Sequence, residues 1–88
     1  MQRNFTLSQN YPNPFNPSTT IAYHLEKSDH VTLSIYDIYG REIETIVNLY
    51  QSAGEHVIVW QAQGMPGGTY FCRLSVGDLF ETKNLILQ

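Results

Sequence analysis

Three histidines, one cysteine and eight carboxylates carry most of the catalytic or metal-binding scope of this 88-residue chain. His24, His30 and His56 follow no metal-ligand spacing, and a single cysteine supplies neither half of a zinc pair nor an intrachain disulfide. They read as surface or core-edge histidines making ordinary hydrogen bonds. Cys72 alternates with Tyr70 and Leu74, which marks it as a small buried hydrophobe rather than a nucleophile, since activation requires a nearby imidazole or cationic field. Asp37, Glu42 and Glu44 gather around a Tyr39-Gly40 turn, where a weak calcium contact is the chemical alternative to a solvated face. An oxygen cage there would have to recruit Asp78 or Glu81 from elsewhere, and the solvated face is the stronger reading. No G-x-S-x-G elbow is present, and the Gly64-Met65-Pro66-Gly67-Gly68 run lacks the helix and lysine of a phosphate loop. The expectation is a chain with no catalytic, cofactor or metal site.

The elements that would position these groups are strands. Val, Ile and Thr number 5, 7 and 7, and Tyr, Phe and Trp add 6, 4 and 1, side chains suited to a pleated, half-buried surface. Alternation places Ile21, Tyr23 and Leu25 on one face, and Val31, Leu33 and Ile35 on one face of the next strand. Arg41 to Asn48 fits no strict period of two, because Ile43, Ile46 and Val47 fall out of phase; a bulged strand or a strand ending in a helical turn is predicted. From Glu55 to Gln61 both faces are apolar, with Val57 and Val59 on one and His56, Ile58 and Trp60 on the other; the tryptophan marks the core side. Tyr70, Cys72, Leu74 and Val76 share a face, and Gly77-Asp78 turns the chain into a last strand over Leu79 to Gln88. With a short first strand near Phe5 to Ser8 the count is about seven, spaced near a dozen residues apart. That predicts an all-β, immunoglobulin-like sandwich of antiparallel strands, with a closed barrel as the alternative.

One segment is irregular. Residues 10–18, Asn-Tyr-Pro-Asn-Pro-Phe-Asn-Pro-Ser, set Pro12, Pro14 and Pro17 among asparagines that bond back to nearby amides. It is predicted to be a rigid crossover between the first two strands, pinned to the sandwich by Tyr11 and Phe15. An exposed aromatic recognition patch is the alternative, and a proline-motif ligand is disfavoured because no PxxP with flanking basic residues occurs.

Length and charge narrow the class. Residues 1–88 read as a single domain, with per-residue averages giving a stability of roughly 4 to 13 kcal/mol, so most apolar side chains are needed for one core and few remain for a deep pocket. Five basic residues, scattered among eight acidic ones, argue against a nucleic-acid partner. No run approaches 18 apolar residues, which argues against membrane insertion, and the opening MQRNFTLSQN lacks the features of an export leader. If the protein is exported, the expectation is a signal upstream on a longer polypeptide, or this domain itself.

Four ordered stretches carry a resemblance: Leu7 to Ile21 around the Pro/Asn run; Val31 to Glu42, with Ile35-Tyr36-Asp37-Ile38-Tyr39-Gly40-Arg41; Gly54 to Trp60; and Gly68-Thr69-Tyr70-Phe71. Together they resemble the type A C-terminal sorting domain of the type IX (Por) secretion system, and the related immunoglobulin-like domain of the flagellar hook-capping protein family. The resemblance runs from about Leu7 to Leu87. It implies an immunoglobulin-like sandwich and a non-enzymatic address at the C-terminus of a secreted or cell-surface protein, transiently periplasmic. The partners it implies are N-terminal passenger domains, the outer-membrane translocon and a sortase-like peptidase. The family's G-x-Y signature falls on Gly68 and Tyr70, its basic residue in the last strand on Lys83, and its apolar end on Leu85-Ile86-Leu87. On the same resemblance, Gly68, Tyr70, Lys83, Leu85 and Leu87 are the candidate recognition residues, with Leu79 to Gln88 as the candidate surface through edge-strand pairing. Met65 stands where Leu is commoner, Gln61 where Asp commonly follows the Trp, and Gln88 ends the chain without a basic residue. The competing classes are a structural spacer and a carbohydrate-binding or adhesive module, for which Tyr39, Tyr50 and Phe71 are the aromatic residues to test.

Overall fold

The computed structural model describes residues 4–88, and all the regular elements among them are strands: β1 (Phe5–Leu7), β2 (Ser18–Leu25), β3 (Asp29–Tyr36), β4 (Glu42–Gln51), β5 (Gly54–Gln61), β6 (Gly68–Val76) and β7 (Leu79–Leu87). Alternation in the sequence becomes alternation in burial. Thr19, Ile21, Tyr23 and Leu25 of β2 point inward and are buried, as are Val31, Leu33 and Ile35 of β3 and Tyr70, Cys72, Leu74 and Val76 of β6.

The strands form two antiparallel sheets, one ordered β1-β2-β5 and the other β4-β3-β6-β7. The chain changes sheet after β2, β4 and β5, and the inner faces close on one apolar cluster that includes Phe5, Phe15, Trp60, Leu85 and Leu87. This is the predicted seven-stranded, immunoglobulin-like β-sandwich rather than a barrel. The first three residues of the predicted 1–88 domain lie outside the described residues.

The irregular apolar pattern of β4 has a definite cause. Leu33 pairs with Val47 but Ser34 with Thr45, and Ile35 pairs with Glu44 but Tyr36 with Glu42, so Ile46 and Ile43 are bulged residues. The first bulge resets the side-chain phase so that Glu44, though exposed at the sheet edge, stands on the inner-face side and accepts a hydrogen bond from Trp60 Nε1 at 3.0 Å. Trp60 is thus a core residue with its one polar atom satisfied, as its strand face predicted.

The 10–18 segment joins β1 to β2, and it also leaves their sheet to reach β7 of the other. The peptide bonds preceding Pro12, Pro14 and Pro17 are cis. Phe15 is 1% exposed and packs on Trp60 with ring centroids 5.9 Å apart. Tyr11 departs from expectation, at 80% exposed. Its backbone exchanges both hydrogen bonds with Thr20, whose side chain belongs to the outward-facing set of β2, so a residue paired there is turned away from the core. Phe15 alone of the two aromatics is the pin.

Candidate functional site

The residues implied as recognition elements fall into two groups. Gly68 pairs with Leu87 and Tyr70 with Leu85, so the start of β6 and the end of β7 lie side by side. Gly68 has φ +145°, and a Cβ on neighbouring Gly67 would come within 3.3 Å of the Leu87 carbonyl oxygen, so the backbone here calls for glycine at both positions. The Tyr70 hydroxyl donates to the Pro66 carbonyl at 2.6 Å and ties the β5–β6 loop to the sheet. Tyr70, Leu85 and Leu87 are themselves buried. Lys83 is not part of this group. It stands opposite Cys72, half-buried, with Nζ 3.4 Å from Glu81 Oε2, and Glu81 Oε1 accepts the Leu7 amide at 3.4 Å across the gap to β1.

The free edge of β7 is not bare. Phe15 N–H donates to the Ile86 carbonyl at 2.9 Å, Gln88 N–H donates to the Phe15 carbonyl at 3.0 Å, and Ile86 N–H donates to Asn13 Oδ1 at 2.9 Å. Upstream, the Asn84 carbonyl accepts from Gln9 Nε2 at 2.9 Å and from Asn13 Nδ2 at 3.5 Å. The last part of β7 is therefore paired on both sides, by β6 and by the Pro/Asn segment. A buried clamp holds that segment: Asn10 Nδ2 donates to Thr19 Oγ1 at 2.9 Å and Thr19 Oγ1 donates to the Pro12 carbonyl at 2.8 Å. Asn10, Asn13 and Thr19 were not foreseen as site residues; their only sequence signal is the alternation of asparagine with proline.

Around this end run two shallow grooves. One, of about 440 Å³, separates the β3–β4 turn, with Ile38, Tyr39 and Arg41, from the β5–β6 loop at Met65 to Gly68. The other, of about 270 Å³, lies on the outer face over Tyr36, Phe71, Arg73 and Thr82. Arg73 is stacked there against Phe80 and Tyr36, 4.5 and 5.3 Å from the ring centroids. At the turn, Asp37 Oδ1 accepts the amides of Tyr39 and Arg41 at 2.9 and 3.0 Å, and Oδ2 accepts Arg41 Nε at 2.8 Å. Desolvation raises the Asp37 pKa, but these hydrogen bonds and the Arg41 charge outweigh it and hold the carboxyl below its ordinary range.

The remaining titratable groups are dispersed. His24 bonds Glu55 at 2.7 Å, His30 bonds Asn48 at 2.7 Å, and His56 bonds the Ser52 carbonyl at 2.8 Å while stacking on Tyr23. Cys72 is buried, and burial pushes its thiol up to about 12. Among the described residues no three His, Cys, Asp or Glu side chains come together as a metal-binding group, and no helix is long and apolar enough to cross a membrane. Tyr39, Tyr50 and Phe71 do not form one aromatic platform: Tyr39 is in the β3–β4 turn, Tyr50 pairs with His30 near the opposite end of β3, and Phe71 is on β6 beside Tyr36.

No curated protein and no solved structure matches the chain. A family model described as the secretion system C-terminal sorting domain matches residues 9–88, a span that begins at Gln9, where the segment covering β7 starts, and runs through Gln88. The chain, carrying a β-sandwich whose final strand is locked in place by that segment, belongs to the family of secretion system C-terminal sorting domains.

Proposed function

We propose that residues 1–88 form a non-enzymatic sorting module of type A that directs an N-terminally attached passenger through the outer-membrane type IX translocon, with a sortase-like peptidase acting afterwards. The observation that carries this is the family match over residues 9–88. The placement of the first and last strands supports it. Phe5 pairs with Leu25 at the end of the sandwich holding the β2–β3 and β6–β7 turns, whereas Leu87 pairs with Gly68 at the other end. A passenger joined before β1 leaves the Gly68 and Leu87 end open to a receptor.

In this reading Tyr70, Leu85 and Leu87 act from within. Their burial sets the shape of the end that Gly68, the β5–β6 loop and the Pro/Asn segment present, while half-buried Lys83 marks a second position along β7. Because the last part of β7 is already paired on both sides, the receptor reads this assembled surface rather than adding a strand to it.

The test is export of a periplasm-targeted reporter fused ahead of this domain, in a host with the type IX system. Reporter outside the cell, lost on removing residues 68–88 and on a Gly68→Val change that leaves the reporter itself folded, is the expected result. Periplasmic retention of an intact, folded fusion would sink the sorting reading in favour of a structural spacer.

A further inference from the structure

Among the described residues two open sheets present four edges, and three of them are blunted against strand addition. β1 is three residues long. β7 is covered over its last part by the Pro/Asn segment and carries inward-pointing Glu81 and Lys83. β4 is broken by bulges at Ile46 and Ile43. β5 has none of these devices: its eight residues, Gly-Glu-His-Val-Ile-Val-Trp-Gln, run in unbroken register against β2, without proline or lysine.

The hydrogen-bond phase says which groups face outward. In an antiparallel ladder the N–H and C=O of one residue point to the same side, and the side alternates along the strand. Ala62 N–H donates to the Pro17 carbonyl at 2.8 Å, while Thr20 and Ala22 of β2 bond away from β5, to Tyr11 and Ser8. Even-numbered residues of β5 therefore bond β2, and Glu55, Val57, Val59 and Gln61 offer their backbone groups to the open edge. Their side chains stand on the outer face, with Val57 and Val59 exposed at 63% and 62%.

We propose that this edge pairs with the same edge of a second copy of the chain, antiparallel about a two-fold axis passing Ile58. Val57 of each copy then lies opposite Val59 of the other, and Glu55 opposite Gln61. Every residue in these pairs has outward-facing backbone groups, the exposed valines cover one another, and no like charges meet. A slip of one residue sets outward-facing groups against residues already bonded to β2. A slip of two removes one of the four pairs and sets Glu55 against a valine in one direction, Gln61 against a valine in the other. The segment is thus complementary to itself in one register, and the pairing rests on the fold, independent of the sorting reading.

Sedimentation equilibrium of the 88-residue chain over roughly 10 μM to 1 mM tests this, a range suited to a small, transient interface. A monomer–dimer equilibrium is expected, lost with Val57→Lys and with Val59→Pro, the latter deleting an outward-facing donor and one of the covering valines while leaving the donors bonded to β2 in place. Gln61→Lys sets a lysine opposite each Glu55 and tightens the dimer, whereas Gln61→Glu weakens it, each by about two- to thirtyfold in Kd for the two symmetric pairs. These exposed Gln61 variants carry the test if the valine variants do not fold. Amide hydrogen exchange at residues 55, 57, 59 and 61, followed by NMR over the same concentration range, slows as concentration rises. A chain that stays monomeric throughout, a dimer indifferent to all four substitutions, or edge amides whose exchange ignores concentration overturns the proposal.

Discussion

Phe15 and Leu87 form a parallel bridge, with the Phe15 amide on the Ile86 carbonyl at 2.9 Å and the Gln88 amide on the Phe15 carbonyl at 3.0 Å. A residue before β2 thereby acts as a short neighbouring strand for the C-terminal end of β7. Its ring goes into the core against Trp60, so one residue both closes the sandwich and occupies an edge that would otherwise be open.

Phe15→Ala is expected to destabilise the domain by about 3–5 kcal/mol, the cost of emptying a buried phenyl site. Tyr11→Ala, on the same segment but with an exposed ring, is expected to change stability by no more than about 0.5 kcal/mol. Urea denaturation of both variants checks the contrast, and equal effects would contradict the assignment of Phe15 as the pin.

Asn13→Ala removes the side-chain acceptor of the Ile86 amide. The loss should be about 1 kcal/mol, with faster exchange at the Ile86 amide and little change at amides between β6 and the upstream part of β7. Hydrogen exchange followed residue by residue resolves this; uniform acceleration along β7 would mean that the segment is not a local cover.

Cys72 should resist alkylation in the native state, since burial both shields the sulfur and raises its pKa to about 12, leaving little thiolate at neutral pH. Modification should keep pace with unfolding in a denaturant series. Rapid labelling of folded protein at pH 8 would show an open path to the sulfur.

The β3–β4 turn should respond to acid. Because the folded-state pKa of Asp37 is depressed, its contribution is present above the ordinary carboxylate pKa and is lost as pH falls through the lower folded value. Asp37→Asn should flatten that part of the acid-side stability curve, and an NMR titration of the Asp37 carboxyl should give a midpoint below the ordinary range.

Lys83→Ala separates recognition from folding. If Lys83 is read by the secretion machinery, export of a fused reporter falls while the thermal midpoint stays within a few degrees, because the ion pair with Glu81 is long at 3.4 Å and the half-buried lysine still reaches solvent. Unchanged export would restrict recognition to the Gly68 and Leu87 end.

How far the sequence alone reaches differs by feature. The strands were legible from period-two alternation, and the phase break at Ile43, Ile46 and Val47 announced the bulges of β4. The resemblance singled out Gly68, Tyr70 and the apolar end at Leu85 to Leu87, and it is the β6–β7 register that lays these two segments side by side. Tyr11 was misplaced because an aromatic ring flanked by prolines says nothing about which face its backbone partner will impose, and Thr20 imposed the outward one.

By itself the sequence determined what is local: strand alternation, the Gly77-Asp78 turn, and the proline and asparagine content that keeps residues 10–18 out of regular ladders. Tertiary structure alone decided which edges stay open. The Asn13 side chain meets the Ile86 amide across 73 positions of sequence, and the inward turn of Lys83 and Glu81 depends on β7 lying at a sheet edge. Side-chain alternation is a property of one strand, readable in a few residues. Edge protection is a relation between strands, and it exists only once the chain has paid the entropy of bringing distant segments together.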